Sequence, residues 1–342
     1  MTKPLIHSHF LNGLEDIIRE HGQNPLDFAN KAGLPASIFD ENECLLPYEK
    51  HTLIMELASQ DLKFPDMGLE IARRQTMTVF GPLFPMIASQ ANIQEALELF
   101  SKHLQIRAQD ISLVLEVTDD KASVSPRSDI DAINNSRTFE DHAIGLAWQI
   151  IQLLHGGNCK LRAVYFKHPA PDDTTRYTRY FKCPVAFDHH CCELVIDPKV
   201  FSEPICAAAK EIPQLLRQHL ENKHNDQLIN QVKEVVTSLL VTGHCTINEV
   251  APTMGYSTRT LQRHLKQDGA TFQALVDAVR HQQAQVYLSA DYYRLTDIAA
   301  LLGYSELSAF TRSFKRWFGV SPQKWRRGLQ GRHSDSLRGS TA

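Results

Sequence analysis

No run of apolar residues in this 342-residue chain approaches the length of a membrane span, which needs about 20 in succession. A secretory core is also missing, because Lys3, His7, His9 and Glu15 interrupt the apolar residues after Met1. The seven cysteines therefore imply no disulfide framework, and the expectation is a soluble, reduced, cytoplasmic protein with no membrane partner. There is no P-loop, no Gly-x-Ser-x-Gly and no dinucleotide fingerprint after a strand. Without a catalytic constellation, neither an enzyme nor a cofactor is expected. Net charge is low too, at −3.

That small charge conceals a division. From Leu228 onward there are 14 basic against 8 acidic residues, a net +6, and the remainder has 22 against 31, a net −9. A basic C-terminal module behind an acidic body suits a DNA reader attached to something else.

A near-repeat lies inside the basic part. One copy runs Val250-Ala251-Pro252-Thr253-Met254-Gly255-Tyr256-Ser257, followed by Arg263 and Lys266. The other runs Ile298-Ala299-Ala300-Leu301-Leu302-Gly303-Tyr304-Ser305, followed by Arg312 and Lys315. Each has the form apolar-Ala-x-x-apolar-Gly-Tyr-Ser, then a basic amphipathic run. Gly255 and Gly303 sit where positive φ closes a first helix at low cost. Ser257 and Ser305 sit where an N-cap oxygen serves the next helix. Thr246-Ile247-Asn248-Glu249 opens the first copy as a capping box. Two helix-turn-helix units are the reading, and they point to double-stranded DNA. Pro252 falls inside the first leading helix, so that helix is kinked or Pro252 lies near its end.

Upstream, the pattern is mixed. Leu11, Leu14, Ile17 and Ile18 recur at helical spacing. Asn24-Pro25 and Gly33 bracket a second helix. Leu53, Ile54, Leu57 and Ala58 mark another, as does the Ile93–Leu104 run. Ile111, Leu113, Leu115 and Val117 alternate as a strand, Asp119-Asp120 turns the chain, and Ala122 to Val124 continues it. Leu161–Phe166 and Glu193–Ile196 also read as strands. Between them Phe139–Leu154 is an amphipathic helix ended by Gly156, with Trp148 on its core stripe. A helical stretch from Ile205 to about His219 precedes a polar linker.

The segment from about Leu228 to Arg327 resembles the DNA-binding domain of the AraC/XylS family of bacterial transcription regulators. Ile298-Ala299, Leu302-Gly303-Tyr304, Phe310, Phe314-Lys315, Gly319-Val320-Ser321-Pro322 and Trp325-Arg326 carry the likeness most specifically. Leu261-Gln262-Arg263, Leu265-Lys266, Gly269, Phe272, Arg280 and Ala284 carry it in the first half. The resemblance implies seven helices in two helix-turn-helix units joined by a long helix, here Thr271 to Leu288. It implies base-facing positions at Arg259, Gln262 and Arg263 in the first recognition helix. In the second they fall on Leu307, Ser308, Ala309 and Arg312. Arg can bond guanine twice and Gln can pair with adenine, whereas the second set is less polar and suits positioning. Lys266, Lys315, Arg316 and the helix starts at Ser257, Thr258 and Ser305 are phosphate-contact candidates.

Phe80-Gly81-Pro82-Leu83, Glu95-Ala96-Leu97 and Phe181-x-Cys183-Pro184-Val185-x-Phe187 resemble the arabinose-binding-type N-terminal domain of one subgroup of that family. This implies a small-molecule effector, a homodimer, or both, and RNA polymerase as a partner if the protein activates. The effector-binding residues are not legible. The expected organisation is an α+β effector/dimerisation domain over 1–220 and a linker over 221–227. An all-α DNA-binding domain over 228–328 and a disordered tail over 329–342 follow. No metal site is expected. His189-His190-Cys191-Cys192 read as a strand would alternate faces, so the four could not reach one ion.

Overall fold

The computed structural model describes residues 4–39, 45–81, 83–134, 136–211, 226–240, 245–254, 256–289 and 293–327. The chain divides into two compact units. One holds Lys3–Ala32 and Leu45–Lys223; the other holds His224–Ala342 with the short Gly33–Cys44 segment.

The first unit opens with strand β1 (Leu5–His7), then helices α1 (Leu14–Glu20) and α2 (Pro25–Lys31). Asn24 caps α2 through its side chain, accepting from the Leu26 N–H at 3.2 Å, with Pro25 in the first turn. Strand β2 (Leu45–Pro47) pairs antiparallel with β1, Ile6 opposite Leu46. These three-residue strands are too short to show a period in the sequence. Helix α3 (Tyr48–Asp61) forms where expected, but its buried face holds Tyr48, His51, Thr52 and Met55 beside Ile54 and Ala58. Leu53, counted on the apolar stripe, is exposed.

Helices α4 (Met67–Arg74), α5 (Leu83–Ala88) and α6 (Ile93–His103) follow. Asn92 caps α6 by accepting from the Glu95 N–H at 2.9 Å. A mostly antiparallel sheet comes next, built from β3 (Ile111–Val117), β4 (Ala122–Ser128), β5 (Leu161–Tyr165), β6 (Val185–Ala186) and β7 (Glu193–Ile196). Its order is β3-β4-β7-β5-β6, with β5 and β6 parallel. The short α7 (Asp131–Asn134) leads to α8 (Arg137–His155), and α9 (Thr175–Phe181) and α10 (Pro198–Ser202) complete the named helices of this unit. Gly156 ends α8 with φ 87, as the sequence implied, and Ser136 caps its start at Arg137, two residues before the expected Phe139. Trp148 is buried. Of the stretch from Ile205 to His219, the chain is helical over 207–211, and the rest lies outside the described residues.

Helices α4 and α8 cross at close range. A Cβ on Gly68 would collide with the Thr138 carbonyl and come within 2.8 Å of the Asp141 Cβ. One on Gly145 would come within 2.7 Å of the Ala72 Cβ. The core beside this crossing is unusually polar. His142 Nε2 stands 2.8 Å from Gln75 Oε1, and the Gln75 amide donates to the carbonyls of Phe10 and Asn12. Gln75 Oε1 is therefore an acceptor, so His142 carries its proton on Nε2. Burial holds His51 down to about 4 and His142 down to about 3, so both rings are neutral at physiological pH. No helix among the described residues is long and apolar enough to cross a membrane.

The second unit is helical. It contains α11 (Asp226–Leu240), α12 (Ile247–Thr253), α13 (Thr258–Gln267), α14 (Phe272–Ser289), α15 (Leu295–Leu301) and α16 (Leu307–Phe318), with a further helical turn over 322–327. Asp226 and Gln227, assigned to the linker, already belong to α11. A helix needs backbone upstream of its first packing residues, here Leu228 and Ile229. Residues 221–225 and the tail 328–342 lie outside the described residues.

Candidate nucleic-acid interface

The first helix-turn-helix is α12 and α13. Thr246 begins α12 as a capping box, with the Glu249 carboxylate accepting from the Thr246 N–H at 3.0 Å. Pro252 sits in the last turn of α12 and is exposed, so it removes one late bond and does not break the helix. The Tyr256 N–H reaches back to the Ala251 carbonyl at 2.8 Å. Gly255 itself lies outside the described residues. Ser257 then caps α13, its hydroxyl accepting from the Thr260 N–H at 3.1 Å.

The second unit repeats this at the same offset. The Tyr304 N–H bonds the Ala299 carbonyl at 2.9 Å, and Gly303 holds φ 69 between α15 and α16. This is the left-handed helix ending that glycine permits. Here Gly303 has a second reason to be glycine, since a Cβ would come within 2.8 Å of the Leu240 carbonyl oxygen. The cap differs from expectation. Glu306, not Ser305, is the N-cap of α16, and its side chain makes no cap bond. Glu306 Oε2 instead accepts from the Ser308 hydroxyl at 2.9 Å. One residue beyond the Tyr-Ser pair stays extended, so the helix starts later than in the first unit.

Each recognition helix is two-faced. On α13, Leu261 and Leu265 are buried against Val235, Val236, Val250, Leu275 and Val279. The opposite face exposes Arg259, Gln262, Arg263 and Lys266, at helical spacings of three and four. Thr258 is half-buried at the helix start and Ser257 is exposed. On α16, Phe310 and Phe314 are buried, and the Phe314 ring packs tilted on Phe318 and edge-on to Trp325. Leu307, Ser308, Arg312, Lys315 and Arg316 are exposed, and Ala309 is half-buried.

Four features were not visible in the sequence: Glu306 at the start of α16, the Arg316–Asp277 pair, the Arg280 clamp, and the bend at His189–Cys191. Glu306 puts a carboxylate at the start of α16, where a phosphate would approach; it favours the helix dipole but repels an anion. Arg316 stands 3.6 Å from Asp277 of α14, so its charge is already partly answered. Arg280 of α14 donates to the carbonyls of Leu302 and Gly303, at 2.8 and 3.2 Å, with its guanidinium 4.5 Å from the Tyr304 ring centre. It thereby ties the long helix to the second turn. The long helix begins at Phe272, with the Thr271 hydroxyl accepting from the Ala274 N–H.

The fourth is His189-His190-Cys191, which is not in a strand. Asp188 adopts φ 54, and the three residues lie in a bend between β6 and β7, so the alternation argument against a shared ion does not apply. Cys192 is buried, and burial pushes its thiol and that of Cys191 up, away from the thiolate.

Residues 22–205, more than half of the chain, match the family profile described as the arabinose-binding domain of AraC transcription regulator, N-terminal. Residues 250–328 match a helix-turn-helix domain profile. The chain is 28% identical over 335 residues to the HTH-type transcriptional regulator VirS of Mycobacterium tuberculosis, covering 96% of this chain and 98% of that one. It is 23% identical over 331 residues to the ornithine utilization regulator of Pseudomonas aeruginosa, covering 95% and 97%. The crystal structure of the transcriptional regulator CdpR from Pseudomonas aeruginosa aligns over 89% of this chain and 96% of that one, at 20% identity and TM-score 0.41. Such proteins are regulators and not enzymes. With paired helix-turn-helix units behind an arabinose-binding-type body, the chain belongs to the AraC family of DNA-binding transcription regulators.

Proposed function

We propose that residues 228–328 read two neighbouring major grooves of one DNA site, under the control of a small effector bound by residues 1–220. The observation that carries the DNA half is the pair of polar faces on α13 and α16, each laid over a buried stripe. Arg259, Gln262 and Arg263 contact bases, with Leu307, Ser308, Ala309 and Arg312 meeting the second groove by shape and apolar contact. Ser257, Thr258, Lys266, Lys315 and Arg316 hold phosphates, whereas Ser305 loses that role because Glu306 starts α16. The protein acts as a homodimer and, at sites where it activates, contacts RNA polymerase.

The effector half rests on a cavity beside β4 and α8. Arg127, Asn134, Glu140, Lys167 and Cys192 help line it. Two cations and one carboxylate around one space suit an amino-acid-like zwitterion, in keeping with the relative named for ornithine utilization. The cavity is small, about 40 Å³, room for only a few waters at about 10–15 Å³ each. Binding then requires β4 and α8 to part. That volume favours a second reading, in which the N-terminal unit serves only dimerisation or protein contact.

The deciding experiment pairs a genomic footprint with gel shifts of the full chain, with and without ornithine and related amino acids. An effector must bind the two DNA-affinity states differently to act. A shift in DNA affinity supports the first reading. Unchanged affinity with every candidate, alongside a stable dimer, supports the second. A fragment from about Asn225 to Gln330 should bind the same site more weakly and ignore any effector. Loss of all sequence preference in that fragment would sink the modular division at 221–227.

A further inference from the structure

The bend between β6 and β7 gathers donors that a strand would scatter. Asp188 turns the chain through the left-handed region, with φ 54. The bend is then pinned to the end of β5. The Asp188 N–H donates to the His168 carbonyl at 3.1 Å, and the His189 N–H donates to the Phe166 carbonyl at 2.9 Å. The Tyr165 ring packs on the His189 ring with centres 4.4 Å apart, and the His190 ring centre lies 4.1 Å from that of His189. His189 and Cys191 are half-buried and His190 is exposed, so the cluster is both held and reachable.

One donor atom from each of His189, His190 and Cys191 lies within 4.8 Å of the others. Cys191 Sγ is 3.4 Å from His190 Nε2 and 3.8 Å from His189 Nδ1. In a tetrahedral zinc site, bonds of about 2.3 Å to sulfur and 2.0 Å to nitrogen put those two ligands about 3.5 Å apart. The two separations bracket that edge. We propose that His189, His190 and Cys191 form a three-donor site for a thiophilic divalent cation of the zinc class, with the fourth position open to water.

Binding balances simply. The Cys191 S–H bond breaks, its proton passes to solvent, and the sulfur forms the metal bond. Both imidazoles bind as neutral donors; His189 Nδ1 stands 3.2 Å from the Cys191 carbonyl oxygen, so on binding the ring gives up that hydrogen bond and carries its hydrogen on Nε2. Imidazole and thiolate together suit zinc better than the harder cations. The next residue, Cys192, lines the cavity beside α8, so the cation would sit one residue from that wall.

The test is titration of the reduced full chain with Co²⁺, followed by Zn²⁺. One equivalent of Co²⁺ should raise a near-ultraviolet thiolate-to-cobalt charge-transfer band and the strong visible bands of a four-coordinate ion, and Zn²⁺ should bleach both. C191S should abolish the charge-transfer band. H190A, at an exposed position, should lower affinity at least about tenfold. C183S, a half-buried thiol elsewhere, should change neither. The proposal fails if no band forms, if the band survives C191S, or if H190A binds Co²⁺ as tightly as the parent chain.

Discussion

The two helix-turn-helix units share one turn bond and differ in most of what surrounds it. Both close their turns with a Tyr N–H bonded to the carbonyl five residues back, Tyr256 to Ala251 and Tyr304 to Ala299. The first packs Leu and Val beneath α13, has a serine cap, and exposes two arginines, a glutamine and a lysine. The second packs an aromatic cluster beneath α16, starts at Glu306 with no side-chain cap bond, and exposes Leu307 beside its cations. One turn geometry thus supports two surface chemistries, because the turn is set by local backbone bonds and the reading face is not.

The largest effect should come from Gly303→Ala. Positive φ costs an ordinary residue about 1–2 kcal/mol, and contact with the Leu240 carbonyl should bring the total to roughly 2–4 kcal/mol. Gly269→Ala is the control: it has φ 72 but open space around it, so it should lose only about 1 kcal/mol. Urea midpoints of the two variants compare directly, and equal losses would show that close packing at the second turn contributes nothing.

Arg263→Ala should come next, costing about 1–3 kcal/mol on the specific site and relaxing preference at one base pair. Arg312→Ala on α16 should relax preference less. Equal losses on specific and random DNA for Arg263→Ala would make it a phosphate contact and remove the asymmetry between the units.

Capping gives a smaller contrast. Ser257→Ala should lower stability by about 1 kcal/mol, while Ser305→Ala should stay within about 0.5 kcal/mol, as for an ordinary surface change. Matching thermal shifts would mean that Ser305 caps after all.

The smallest contrast is electrostatic. Lys315→Ala should weaken all sequences alike and reduce the salt slope by about one unit. Arg316→Ala should change the slope less, since Asp277 already answers part of its charge. Equal slope changes, measured from binding at several salt concentrations, would cancel that reading.

What could be read in the sequence was what is encoded locally. The glycine and serine of each turn, the alternation of Ile111–Val117 and the long stripe of α8 all carry their own period or cap. What was hidden depends on partners far along the chain. His51 reads as polar, yet it is fully buried, its ring stacked on that of His142 and edge-on to that of Phe139, both on α8. Arg280 reads as one more helix cation, and only the fold brings Leu302 and Gly303 to it. Ser305 is the better N-cap by side-chain chemistry, yet the backbone stays extended through Glu306, with φ −140 and ψ 142, and side-chain preference alone does not fix where that extension ends. His189 to Cys191 were judged by strand alternation, which the turn at Asp188 removes.

The Arg280 clamp has a consequence for the genome. A guanidinium bonded to two carbonyls of the second turn makes the joint between the reading heads stiff at that point. A stiff joint cannot follow its two contact blocks when a base pair is inserted between them. Operators for this protein should therefore vary in letters while keeping their internal spacing. A search for its binding sites should weigh distance as heavily as sequence.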